Sequence, residues 1–187
     1  MTRRDRAGWA TLLVCLLVVV LVSATAPDPA TDVRREFDDV VVGEAGRVDH
    51  AEVLVERVRR SRAVTTAYER RLDSTATFVL VDVRAAVTEE SVAFRGVRLE
   101  TRDGYRYEAR PEFPALTTIQ PGFTRVGTLV FEVPDERVAG ARLVVESDQG
   151  AYDVYSRAVR VDLALRTDDP PDPGPLSVPE PVLEVSP

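Results

Sequence analysis

The sequence predicts an all-β domain, a sandwich or barrel, behind one N-terminal apolar segment. Three observations carry this. From Val40 to Leu165, short apolar runs alternate with turn signals, and helical periodicity is almost absent. An uncharged run at residues 9–26 follows three arginines, Arg3, Arg4 and Arg6. Residues 167–187 hold seven prolines and five acidic residues with few core-forming side chains, so the folded region closes near 166.

The leader decides where the rest of the chain works. Its basic start places residues 1–8 in the cytoplasm and the remainder outside. As a helix, residues 9–26 rise about 27 Å, close to the ~30 Å hydrocarbon core of a bilayer. Trp9 then sits at the interface as an aromatic anchor. Cleavage is the competing reading. Ala24-Thr25-Ala26 has the small residues a signal peptidase uses, but Pro27 follows and its ring obstructs the bond to be cut. Val22-Ser23-Ala24 is a weaker box just upstream. The retained anchor is the favoured reading. Cys15 lies in the middle of the apolar run behind Leu13 and Val14, so it reads as a small membrane residue and not as a lipidation site. Arg3-Arg4 is a poor twin-arginine signal, because charged Asp5 and Arg6 follow.

Residues 27–39 are polar and charged, with two prolines, and read as a linker to an ordered region that begins at Val40. The clearest strand is 158–165. Val159, Val161, Leu163 and Leu165 alternate with Arg160, Asp162 and Ala164, a period of two with one buried face. Residues 78–83 (FVLVDV) are apolar on both faces, as in a central strand. Residues 129–133 end at Pro134, which cannot donate to a ladder. Leu143, Val144 and Val145 make another core run, and 51–60 reads as a strand with Val53 and Val55 on one side. Val97 and Leu99 alternate with Arg98 and Glu100, Asp103-Gly104 turns the chain, and Tyr105 and Tyr107 carry it back. Further turn signals lie at 43–46, 73–74, 89–91, Pro121-Gly122, 134–135 and 148–150.

Composition bounds the function. Net charge is −7 for the whole chain. Without the leader's three arginines and Asp5, the balance is 21 basic against 30 acidic residues, or −9. That excludes a general nucleic-acid or anionic-membrane binder. Every basic residue is arginine, a bias that GC-rich codon usage explains more simply than function. No cysteine follows the leader, so the exported domain has no disulfide and its core must hold it. A domain of about 150 residues buries roughly 68–70% of its unfolded surface, which is sufficient.

Three stretches occur in a telling order: ATFVLVDVRAAVT at 76–88, VRLETRDGYRY at 97–107 and PGFTRVGTLVFEVP at 121–134. This series resembles a bacterial family of extracytoplasmic domains of unknown function, immunoglobulin-like sandwiches related to secreted actinobacterial immunogenic antigens. The resemblance spans 43–165. It implies an immunoglobulin-like antiparallel β-sandwich over 40–166, preceded by one transmembrane helix. It also implies a surface location, as a lipoprotein or anchored protein, with no common catalytic residue. The chain departs from lipoprotein members by lacking a lipobox, and from antibody domains by lacking paired cysteines and a core tryptophan.

The search for chemistry returns little. His50 is the one histidine, so zinc sites and histidine-based dyads have almost no ligands to draw on. It reads as an exposed loop residue. No G-x-S-x-G elbow occurs. Asp38-Asp39 and Glu89-Glu90 are adjacent carboxylates in predicted loops, usually just solvated, although a split pair could serve a hydrolase. No calcium-loop pattern occurs, and the tail carboxylates Asp168, Asp169 and Asp172 read as solvated. No cofactor is expected. Arg57, Arg59, Arg60 and Arg62, with Arg70 and Arg71, form the candidate binding patch. Gathered on one hairpin they would hold phosphate or carboxylate of a wall polymer by forked hydrogen bonds. The competing reading is an arginine-rich edge that blocks strand-to-strand aggregation. Asp103, Gly104, Pro121 and Gly122 are assigned to turns, since a phosphate loop needs several glycines before a helix.

The expected function is therefore a binding or accessory domain of the cell envelope, without catalysis. It would be held to the membrane by its N-terminal helix, with an envelope protein or wall polymer as partner and no nucleic acid. The alternatives are a secreted, soluble antigen-like domain and an envelope hydrolase with a carboxylate pair.

Overall fold

Thirteen strands and one short 3₁₀ turn make up the described residues of the computed structural model, which are 34–94, 96–148 and 155–186. The apolar leader, its cleavage boxes, Cys15 and the first part of the predicted linker lie outside them. Among the described residues, no helix is long and apolar enough to cross a membrane. The strands are β1 (Arg34–Val41), β2 (Ala45–Val48), β3 (Ala51–Thr65), β4 (Arg71–Val87), β5 (Val92–Ala93), β6 (Arg98–Glu100) and β7 (Arg106–Glu108). They continue as β8 (Thr118–Ile119), β9 (Phe123–Val133), β10 (Arg142–Glu146), β11 (Tyr155–Asp162), β12 (Leu176–Ser177) and β13 (Val182–Val185). The 3₁₀ turn, Asp135–Arg137, follows Pro134 at the end of β9.

Two sheets stack. One runs β1-β11-β10-β6-β7, and the other runs β12-β3-β4-β9-β13 with β2 also on β3. β5 and β8 form a separate small pair. The main core lies between the sheets. Val53, Val55, Val79, Val81, Val83, Leu129 and Phe131 come from one, and Leu99, Leu143, Val145, Val159 and Val161 from the other. The period of two read from 158–165 is the inner face of β11. Val159 and Val161 are fully covered, and Leu163 and Leu165 continue the core past the strand's end.

β4 sits centrally, paired antiparallel to β3 on one side and β9 on the other. Its apolar run serves two cores. Val79, Val81 and Val83 enter the main one, while Phe78 and Leu80 point the other way. That second face needs its own cover. Val64 and Leu72 from the β3–β4 hairpin, Phe113 from the loop before β8, and Leu176 and Val178 from the tail pack with Phe78, Leu80 and Val130.

The tail therefore departs from the disordered segment its prolines and acids predict. Asp172 donates its amide to the Arg60 carbonyl at 2.8 Å, and β12 pairs in parallel with the end of β3. β13 then pairs antiparallel with β9, Val182 opposite Val126 through Val185 opposite Phe123. The tail thus occupies the outer edges of both β3 and β9, where unpaired backbone groups would otherwise be open to another chain. Pro179 and Pro181 keep the intervening stretch extended, because proline fixes φ and offers no N–H. Gly127 makes room for it, since a Cβ there would stand 3.1 Å from Pro181 and 3.0 Å from Ala115. The parallel β12–β3 pair is also a departure from a purely antiparallel sandwich.

Two other expectations are corrected. The predicted linker 27–39 runs into β1, which begins at Arg34. Its polar residues belong to an edge strand: Asp38 accepts the Arg47 amide at 2.9 Å, Asp39 meets Arg160 at 3.0 Å, and Phe37 lies under the Arg160 guanidinium. The turn signal at Asp73-Ser74 lies inside β4. The ladder is interrupted there, with a register shift between Ser61 and Ala63 and no pairing between Asp73 and Phe78, while the chain reverses at Thr66–Arg70. At Asp103-Gly104 and Pro121-Gly122 the glycines take positive φ, +82° at Gly104 and +78° at Gly122.

Deleting residues 167–187 removes Val178, which is 2% exposed, and uncovers Phe78, Leu80 and Val130. A fully buried valine alone contributes about 2 kcal/mol. The expected outcome is a drop in unfolding free energy of at least about that size in urea, with new binding of a hydrophobic dye. Unchanged stability would contradict the tail's place in the second core.

Candidate functional site

The six arginines of the candidate patch are not gathered into one surface. A strand sends successive side chains to opposite faces, and two register shifts in β3 re-aim them further. Arg57 and Arg59 reach the same carboxylate, with Arg57 Nε 2.9 Å from Asp82 Oδ2 and Arg59 Nη2 2.8 Å from Asp82 Oδ1. Arg60 stands opposite Val79 and donates to the Arg166 carbonyl at 3.3 Å. Arg62 pairs with Asp135, and Arg71 Nε with Asp73 at 2.9 Å. Arg70 lines a cleft described below.

Asp82 is the carboxylate on which two of the six arginines meet. It is the sole charged residue in the FVLVDV run and is 9% exposed. Thr128 Oγ1 donates to it at 2.7 Å alongside the two guanidiniums. Burial opposes its charged form, but the bonds from Thr128, Arg57 and Arg59 outweigh that and hold its pKa below the ordinary 3.8. The arrangement neutralises a carboxylate on a sheet face; Arg59 is largely covered there, while Arg57 engages through Nε and stays 65% exposed.

His50 follows Asp49, a non-glycine residue at φ +50°, in the β2–β3 turn. Its Nδ1 is 3.2 Å from Glu89 and its Nε2 3.9 Å from Glu90, both of which are largely exposed. Asp49 accepts from the Ser147 hydroxyl and the Arg157 amide. These contacts tie three loops together. Among the described residues, no three histidine, aspartate or glutamate side chains are grouped to hold a metal.

The feature with the form of a binding site is a cleft of about 500 Å³ above the second core. The β3–β4 turn supplies Tyr68, Arg70 and Leu72; the loop before β8 supplies Pro111, Phe113 and Pro114; the tail supplies Val178, Pro179 and Pro181. Phe113 and Val178 are buried and form the floor, while Tyr68 is 82% exposed on the rim. The Glu180 carboxylate beside it, by hydrogen bonding and charge, raises the Tyr68 phenol pKa. Arg110 holds Glu112 at 3.0 Å and lowers its pKa. The two rim carboxylates thus already have partners. An apolar floor, a standing aromatic ring and several prolines suit an extended or apolar segment of a partner. Sequence reading passed over this site because its parts lie far apart in the chain. The available signs were a tyrosine within the turn TTAYER, the phrase RPEFP and the phrase VPEP in the tail.

No family model matches the chain, and no curated protein matches it. Solved structures are similar at low identity. The yjhA protein from Bacillus subtilis has a TM-score of 0.49 and 15% identity, over 66% of this chain and 99% of that one. A conserved hypothetical protein from Bacillus anthracis has a TM-score of 0.45 and 14% identity, over 64% and 94%. An uncharacterized beta-sandwich protein from Clostridium difficile 630 has a TM-score of 0.41 and 15% identity, over 68% and 95%. None of these likenesses speaks to what this chain binds.

The Asp82 cluster predicts an acid-sensitive contribution to stability. Its folded pKa is depressed, so the stabilisation is present above the unfolded value of 3.8 and is lost as pH falls through the folded value. Asp82→Asn should lower the unfolding free energy at pH 7 by about 2 kcal/mol, the scale of hydrogen bonds to a charged group. In urea titrations the gap between variant and parent should narrow below pH 4. A gap that stays constant on acidification would contradict this assignment.

Proposed function

We propose that this chain is a membrane-anchored extracytoplasmic β-sandwich, immunoglobulin-like in architecture, that serves the cell envelope by binding and not by catalysis. The cleft under Tyr68 is the observation that carries the reading. It is concave, apolar at its floor, and assembled from three segments that share one small core. Its carboxylates, Glu112 and Glu180, already have partners within the domain, and Arg70 is the cationic group that lines it. Binding chemistry needs such a surface and nothing more. The basic start and uncharged run of the leader support the anchor, and the charge excess of the exported part argues against nucleic acid. The relation to secreted actinobacterial antigens belongs to the same proposal. It makes a cleaved, soluble form the nearest alternative.

The experiment combines fractionation with site-specific photocrosslinking in cells that carry a C-terminally tagged chain. The full-length chain is expected in the membrane fraction and open to protease added outside. A crosslinker at Tyr68 is expected to give one repeated adduct, absent when the crosslinker replaces Glu108, which is exposed and outside the cleft. A trimmed chain in the medium without an adduct would overturn the anchor and leave the soluble antigen-like form. A wall-cleaving activity lost in Glu112→Gln or Glu180→Gln would favour the hydrolase instead.

A further inference from the structure

We propose a second site, for a small oxyanion: a phosphate or carboxylate group carried on an otherwise uncharged molecule. It is a cleft of about 430 Å³ between the end of β6, the residues leading into β10 and the segment after β11. Four guanidiniums line it, from Arg102, Arg142, Arg160 and Arg166, against two carboxylates, Glu100 and Asp162.

The two carboxylates are already engaged. Glu100 Oε1 takes Arg98 Nε at 2.9 Å and Arg106 Nε at 3.2 Å, and Asp162 Oδ1 accepts the Ala164 amide at 2.9 Å. Two of the arginines are spoken for as well. Arg160 meets Asp39 at 3.0 Å and stacks on Phe37, 4.3 Å from the ring centre. Arg166 meets Asp168 at 3.2 Å, but both side chains are 72% exposed, so that pair yields readily to a better-placed anion. Arg102 and Arg142 have no ion pair and no side-chain hydrogen bond among the described residues. Elsewhere in this acidic domain most guanidiniums rest on a carboxylate. Here two free ones share a concavity with a third that is weakly held.

The walls are fixed. The Gly140 amide donates to the Leu165 carbonyl at 2.8 Å, joining the approach to β10 with the segment after β11. Gly140 sits at φ +68°, and a Cβ there would lie 2.1 Å from Arg102 Nε. The lack of a side chain is what seats Arg102 across that backbone. The β6–β7 hairpin, which carries Arg102, is clamped from the 3₁₀ turn: Arg137 Nε bonds Asp103 at 3.0 Å, and its guanidinium lies 3.7 Å above the Tyr105 ring centre. A planar fork on a fixed frame matches the oxygens of a phosphate or carboxylate. The excess of positive charge is local, while the chain as a whole carries −7. Screening confines the attraction to about 8 Å at physiological salt, so one anionic group is drawn in and a long polyanion is repelled beyond the rim.

The test is calorimetric titration of the full chain in neutral detergent with inorganic phosphate and, separately, acetate, at constant ionic strength. Saturable binding of at least one is expected, and comparing the two probes tells which group the site prefers. Arg102→Gln with Arg142→Gln should weaken it at least tenfold. Arg47→Gln, an exposed arginine away from this cleft, should leave it unchanged. Thermal unfolding of each variant shows whether the fold persists; both replaced side chains are exposed. No saturable binding of either probe, or equal binding by the folded double variant, would overturn the proposal. Because this cleft shares no residue with the one under Tyr68, neither result bears on the reading of that site.

Discussion

A strand buried on both faces is the constraint from which the rest of this structure follows. β4 gives Val79, Val81 and Val83 to the space between the sheets and Phe78 and Leu80 to the opposite side. One opposing sheet can cover only one of those faces. The second face needs material from elsewhere, and it comes from the end of the β3–β4 hairpin, the loop before β8 and the tail. The same cover brings Tyr68, Phe113 and four prolines together around one cleft. The candidate site is thus a by-product of closing a second core.

The tail has two roles that reinforce each other. Its backbone completes the ladders of β3 and β9, and Val178 fills the small core. Its exposed strand β13 then becomes the new outer edge, with Val182, Leu183 and Val185 all more than half exposed and Glu184 held by Arg84 at 3.1 Å. A charge placed within an edge strand discourages further pairing.

Charge is managed in the same way on the other sheet. Arg98 is nearly buried on its outward face, bonding Glu146 at 2.8 Å and Glu100 at 2.9 Å, and the bond to Glu146 is the main cause of its raised pKa. Val144, its cross-strand neighbour, is fully covered although it belongs to neither core, because the stems of Arg98 and Arg160 flank it. Long arginine side chains here act as a lid over apolar surface. Arg57 and Arg59 of β3 are likewise drawn to a carboxylate of the neighbouring strand, Asp82.

The sequence by itself determined the long inner strands, most of the turns and the all-β class, but not the edge strand β1 or the tail strands β12 and β13. The alternation at 159–165, the doubly apolar run at 78–83, the Pro134 stop and the glycine turns at 104 and 122 are local properties, set by the side-chain period and by allowed φ. It also carried the case for an anchor, through charge and apolar length alone. What only the tertiary structure decided is who meets whom. Asp82 neutralises Arg57 and Arg59 from the neighbouring strand, and a proline-rich tail is ordered by edges it could not announce. Arg102 and Arg142 share a cleft across 40 positions of chain. β-sheet pairing is non-local, so register and topology choose these partners, and no window of sequence contains both sides of the contact.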